Sequence, residues 1–206
     1  VGGCIKNYID NFHLGNAKTG TSDIISIEAD ESDGSIVLYT PRIAVITNIS
    51  KDHKPIEEIS KMFVSFSQNT TGTLIINADC PHLKMIELKH KNLITYGLNN
   101  NAMIRAKNII CKPIQSTFDV DSHSFEIHLP GIYNVSNALA AIVVARCLNI
   151  NDKKTAAALR EFRGVQRRMD IIGKIDGITI VDDYAHNPEK VMAAINAVKL
   201  GCKRVI

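Results

Sequence analysis

The apolar residues fall in short β-branched runs separated by stripes with helical spacing. Ser22–Glu28 (SDIISIE) and Arg42–Ile49 (RIAVITNI) have the character of buried strands, and each ends in polar residues. Ile56, Ile59, Phe63 and Phe66 recur at intervals of three and four, which predicts a helix from Pro55 to about Ser67. Thr73–Ala78 reads as a strand, Pro81–Leu88 as a short helix and Leu93–Gly97 as another strand.

From residue 98 the pattern changes. Ala102–Lys112 and Ser116–Leu129 predict strands joined by turns, and the alternation in His123–His128 fits a small antiparallel insert at the sheet edge. Asn134–Leu148 predicts a mostly buried helix, and a second helix follows with Asp152 as its expected N-cap. Beyond Gly164, Arg168–Ile175 and Ile178–Asp183 are expected to pair across Asp176-Gly177, a favoured hairpin turn. Asn187-Pro188 supplies a cap and a first-turn proline for a helix carrying Val191, Ala194, Ile195 and Val198 on one stripe, and Lys203–Ile206 is expected to open a further strand. The fold class is therefore α/β: a mostly parallel sheet flanked by helices, with a small antiparallel insert. A β-β-α-β run cannot by itself cover both faces of a sheet. Residues 1–163 are thus expected to form one domain, 164–206 the first elements of a second, and the chain to be a piece of a longer protein.

Composition narrows the function. Of 206 residues, 45% are hydrophobic and 22% charged, an ordinary globular balance. No apolar run is long enough to span a bilayer, and no secretory leader is recognisable, so neither membrane insertion nor export is expected. Net charge is only +3 with the basic residues dispersed, and Trp is absent, which argues against nucleic acid. Five cysteines without a C-x-x-C pair fit reduced thiols in a cytoplasmic protein.

Four clusters carry candidate chemistry. Glu28, Asp30, Glu31 and Asp33 lie just past a predicted strand, where ligands of open α/β sheets bind; such a run is also a common solvated loop. Thr47–His53 (TNISKDH) lies past the next strand, so that His53 could join Glu28 around one divalent cation; a lone His there is more often a surface residue. In Gly131–Asn137 (GIYNVSN), Asn134 and Asn137 share a helix face; Asn134 suits an N-cap, whereas the carboxamide of Asn137 could read an adenine edge. Finally, Arg168 could reach the same ligand as the loop after Asp183 (DYAHNP), with Arg suited to phosphate oxygens and Asp to ribose hydroxyls; the bland alternative is a surface ion pair and a helix cap. Gly15–Thr19 is not a phosphate loop, because Ala17 stands where the Walker pattern needs glycine.

Taken in order, EADESD, TNISKDH, GIYNVSNALAA, GVQRRMDIIG and VDDYAHNP resemble the Mur ligase family along the whole chain. EADESD points to its alanine-adding branch or the related branch that recycles murein tripeptide. The resemblance implies a P-loop-type central domain lacking its phosphate loop, followed by the start of the C-terminal domain. It implies an ATP-dependent amide-bond ligase of peptidoglycan precursor synthesis, working through an acyl phosphate with Mg²⁺, and UDP-N-acetylmuramate and L-alanine as small-molecule substrates. Glu28 and His53 would be Mg²⁺ ligands, Asn134 and Asn137 would lie by the adenine, Arg168 and Asp183 would reach the ATP phosphates and ribose, and His186 would face the incoming amino acid. Tyr133 departs from the family pattern, which usually has His there. A non-catalytic relative is the alternative, and this polypeptide alone is expected to be inactive.

Overall fold

The computed structural model describes residues 3–9, 15–50, 54–99 and 101–206. Four segments lie side by side in parallel: β1 (Ile43–Ile46), β2 (Thr73–Asn77), β3 (Leu93–Gly97) and β4 (Ile104–Cys111). Their connections include α1 (Ile56–Asn69) and the short α2 (Pro81–Met85). β4 overlaps β3 by only two residue pairs, Tyr96 with Ile104 and Gly97 with Arg105, so a short return loop suffices. β5 (Ser116–Val120) and β6 (His123–Ile127) then extend the same sheet in antiparallel fashion, giving the order β1-β2-β3-β4-β5-β6.

Alternation along the strands builds two cores. Ala44, Ile46 and Leu74 face α1 and α2, packing with Ile59, Phe63, Phe66 and Leu83. Ile75, Tyr96, Phe118 and Phe125 face α3 (Ile132–Cys147), whose Val135, Leu139, Ile142 and Val143 are fully buried, and α4 (Asp152–Glu161) closes that layer. α3 is apolar nearly all round because it is packed on most of its surface.

Residues 164–206 add a hairpin, β7 (Asp170–Ile175) and β8 (Ile178–Asp182), and α5 (Pro188–Val198). Asp176 and Gly177 both have positive φ (49° and 82°), the two left-handed residues of the expected turn. Asn187 caps α5, its side-chain oxygen accepting from the Lys190 N–H at 2.9 Å. This region is fastened to the start of the chain: Ile5 bridges Val165, the Lys6 N–H donates to the Gly164 carbonyl, the Gln166 N–H to that of Cys4, and Lys6 pairs with Asp170.

Four local expectations are corrected. Ser22–Glu28 is irregular, with Ile25 86% exposed; a β-branched run becomes a strand only beside a partner, and none of the described strands pairs with it. Lys203–Ile206 is likewise unpaired coil. α4 is capped by Asn151, which accepts from the Lys154 N–H, while Asp152 turns to the Arg146 guanidinium. Asn134 is inside α3 rather than at its cap, which is Gly131 at φ 89°.

Candidate functional site

The cavity that gathers the sequence candidates lies where the start of α3 meets residues 164–194. It measures about 720 Å³ and is lined on one side by Asn48, Ser50, Asn134, Asn137, Ala138 and Ala141. On the other side stand Arg168, Asp183, Glu189, Lys190, Ala193 and Ala194, with Leu159, Phe162 and Val165 as an apolar floor. Asn134, Asn137, Arg168 and Asp183 are thus brought together, although they come from segments some thirty to fifty residues apart.

Each group is held for a local reason. The Asn134 Nδ2 donates to the Pro130 carbonyl at 2.7 Å, which fixes the side chain in the cavity wall. Asn137, one turn on, is exposed on the cavity side of α3. Arg168 sits between two non-glycine residues in the left-handed region, Arg167 (φ 56°) and Met169 (φ 50°). Such a backbone costs about 1–2 kcal/mol per residue and persists only where surroundings enforce it. Here the enforcer is Asp183: one carboxylate oxygen accepts the Met169 N–H and the other the Ala185 N–H, both at 2.8 Å. The Arg167 and Arg168 guanidinium groups also lie over the Tyr184 ring, at 5.1 and 5.6 Å from its centre. Asp183 therefore fixes the backbone beside Arg168, and both residues line the cavity.

His186 is placed beside this wall. Its Nδ1 lies 2.9 Å from the Tyr184 carbonyl, which can only accept, so the proton is on Nδ1. Nε2 then offers a lone pair to the Lys190 ammonium 3.3 Å away. The ring also meets Tyr184 edge-on at 5.4 Å. Tyr133, half-buried in the cavity wall, has its phenol pushed up to about 12, by burial first and then by the Asp183 carboxylate.

Sequence reasoning did not single out Lys190, Glu189 or the small-residue walls. Two signals point to them: Lys190 lies in the first turn of α5, just after the DYAHNP loop that carries His186, and Ala138 with Ala141 leaves room above α3.

The metal reading stands differently. His53 lies outside the described residues, and Glu28 is exposed in the irregular segment after residue 21 and does not line the cavity. Asp30 and Asp33 each accept a backbone N–H of their own loop, from Ser32 and Ser35. Among the described residues no three His, Cys, Asp or Glu side chains converge as a metal centre requires. The described donors do not form a Mg²⁺ site by themselves. No described helix is long and apolar enough to cross a membrane.

The cavity of this α/β chain takes Asn48 and Ser50 from just past β1 and Arg168 and Asp183 from residues 164–206, and the chain belongs to the Mur ligase family. Residues 11–145 match the Mur ligase middle domain, and residues 167–206 match the Mur ligase glutamate ligase domain. Among curated relatives, a UDP-N-acetylmuramate–L-alanine ligase of Desulforamulus reducens is 40% identical over 198 residues, which is 90% of this chain and 43% of that protein. The crystal structure of UDP-N-acetylmuramate-alanine ligase MurC from Thermotoga maritima superposes with a TM-score of 0.70 at 25% identity, over 82% of this chain and 41% of that one. That of MurF from the same organism, in complex with ADP, superposes at 0.63 with 21% identity, over 76% and 39%, and so shares the fold. The chain spans well under half the length of these relatives.

Proposed function

We propose that this chain is the central part of an ATP-dependent ligase joining L-alanine to UDP-N-acetylmuramate, with residues 1–163 as middle domain and 164–206 opening the C-terminal domain. The observation that carries the reading is the meeting of Asn134 and Asn137 with Arg168 and Asp183 around one cavity of nucleotide size. Asn137 offers donor and acceptor to the adenine edge with Asn134 beside it, and Asp183 accepts from a ribose hydroxyl. Arg168 offsets charge on the phosphoryl group while a sugar carboxylate oxygen attacks the γ-phosphorus and ADP departs. The amine then attacks the acyl carbon and phosphate leaves. His186, with Nδ1 on the Tyr184 carbonyl and Nε2 facing Lys190, stands on the acceptor's side to take the amine's proton. Glu28 and His53 are the proposed Mg²⁺ ligands, and the ion supplies charge neutralisation on the phosphates when bound.

The test is ADP release by the full-length ligase carrying this segment, with ATP, Mg²⁺, UDP-N-acetylmuramate and L-Ala, L-Ser, Gly or murein tripeptide. Release dependent on L-Ala, and lost in Arg168→Ala, Glu28→Ala and His53→Ala, is expected. Release with tripeptide alone assigns the recycling branch, and the absence of release with every acceptor refutes the ligase reading in favour of a non-catalytic relative. The 206-residue chain alone is expected to show no turnover.

A further inference from the structure

Two cavities adjoin the contact between α3 and α5. One is the cavity described above; the other, of about 710 Å³, is an apolar groove that includes Ile132, Met192 and Leu200, and Tyr133, Glu189 and Ala193 line both. The open space leaves that contact narrow, so it does not by itself set the register of residues 164–206. A denser set of contacts lies at the other end of this region, on residues 3–7. Ile5 bridges Val165, the Lys6 N–H donates to the Gly164 carbonyl at 3.0 Å and the Gln166 N–H to that of Cys4 at 2.8 Å. The Asn7 carboxamide extends the pairing: Nδ2 donates to the Glu161 carbonyl and Oδ1 accepts the Arg163 N–H, both at 2.7 Å. There is no slack, since a Cβ built on Gly3 would stand 2.6 Å from the Val165 side chain.

Lys6 carries this fastening to the site. Its ammonium pairs with one carboxylate oxygen of Asp170, and the other oxygen accepts the Arg167 N–H at 3.3 Å. On the far side of Arg168, Asp183 accepts the Met169 N–H at 2.8 Å. The Arg168 N–H donates to the carbonyl of Val165, the residue that Ile5 bridges, at 3.2 Å. Arg168 is therefore bracketed by two left-handed residues whose amides end on two carboxylates. Asp183 lies on the same hairpin region as Arg168, so its hold is internal to residues 164–206. Asp170 is tied instead to the start of the chain. Its side chain is 17% exposed and that of Lys6 30%, so water screens this pair less than a surface one.

We propose that Lys6 is a positioning residue of the cavity: through Asp170 it fixes the loop 167–170, and so sets where Arg168 stands across from Asn134 and Asn137. A ligand spanning the cavity needs both walls in register. The proposal rests on the nucleotide reading of the cavity given above. Lys6 acts through Asp170 and the backbone, without itself touching the ligand.

The test uses the full-length ligase carrying this segment. Lys6→Met keeps most of the stem and removes the charge; Asp170→Asn keeps the shape and removes the other charge. In each, amide hydrogen exchange should run about fivefold faster at Arg167, while Ile75 and Leu139 are unchanged. Titration with ADP should show a dissociation constant raised by a similar factor of about five. Lys6→Arg, which can still pair with Asp170, should restore both. Unchanged exchange at Arg167 overturns the proposal, whatever ADP does, and so does an effect of Lys6→Met that Asp170→Asn does not share. Faster exchange with an unaltered ADP constant makes the pair a structural tie only and overturns the positioning role. Faster exchange in an enzyme whose wild type does not bind ADP supports the hold on the loop and refutes the nucleotide reading, so the two failures are distinct.

Discussion

Gly131→Ala tests the packing on which the cavity depends. Gly131 adopts φ 89° at the start of α3, a conformation that costs an L-residue about 1–3 kcal/mol. The new methyl would also lie 2.9 Å from Ala197 Cβ and 3.0 Å from Tyr133 Cε1, closer than carbon atoms rest. Neither neighbour is the free end of a flexible chain: one is a helix methyl, the other a wedged ring. Overpacking of this kind adds about 1–3 kcal/mol. The molecule has two ways to respond. It can absorb the whole cost, about 2–6 kcal/mol, as lost global stability, or it can release α5 and lose only the interface. Urea unfolding followed by far-ultraviolet circular dichroism reports the first, and amide exchange in α5 against α3 reports the second. The expected result is release: α5 amides lose protection while those of Leu139 and Val143 keep most of theirs, and ADP affinity falls with them. A variant as stable and as protected as wild type at both places would refute the steric argument.

Two further outcomes follow from side-chain geometry. Arg146 forks onto Asp152 at 3.0 and 2.7 Å and onto Asp121 at 2.8 Å, tying α3 to α4 and to the β5–β6 turn. Its hydrogen bonds hold the Asp152 carboxyl below the usual carboxylate range, so the bridge contributes fully above the unfolded value near 3.9 and is lost as pH falls through the lower folded value. Arg146→Met should cost about 1–2 kcal/mol at pH 7 and flatten the acid limb of stability measured by urea midpoint. Asn187→Ala removes the cap of α5 and should cost about 1 kcal/mol, read as faster exchange in its first turn, at Lys190 above all.

The parts legible in the sequence are those whose signal is local. The stripe Ile56, Ile59, Phe63 and Phe66 gives α1, Asn187-Pro188 gives the start of α5, and Asp176-Gly177 gives the hairpin, because propensity and packing agree there. SDIISIE had every local mark of a strand and still remains coil, since pairing is a property of the neighbour. The cap of α4 moved by one residue for a similar reason: Asp152 is drawn away by Arg146, whose position is set by α3. At the candidate site, motif residues such as Asn137, Arg168 and Asp183 were legible one by one. Their mutual placement was not, nor was the position of Tyr133 in the walls of two cavities, because both depend on how residues 164–206 seat against α3.

That seating has a kinetic consequence. Lys6 and Asp170, joined in the fastening at the chain's start, are 164 positions apart. Closing a loop of that size costs about 2 kcal/mol more entropy than closing one of some sixteen residues, so these contacts are rewarded only after the sheet has already brought the intervening chain together. During synthesis, residues 3–9 leave the ribosome before residues 164–170 and wait for them before they can be tied down. The fastening is thus a late event, and it couples residues 3–9 to the loop that carries Arg168.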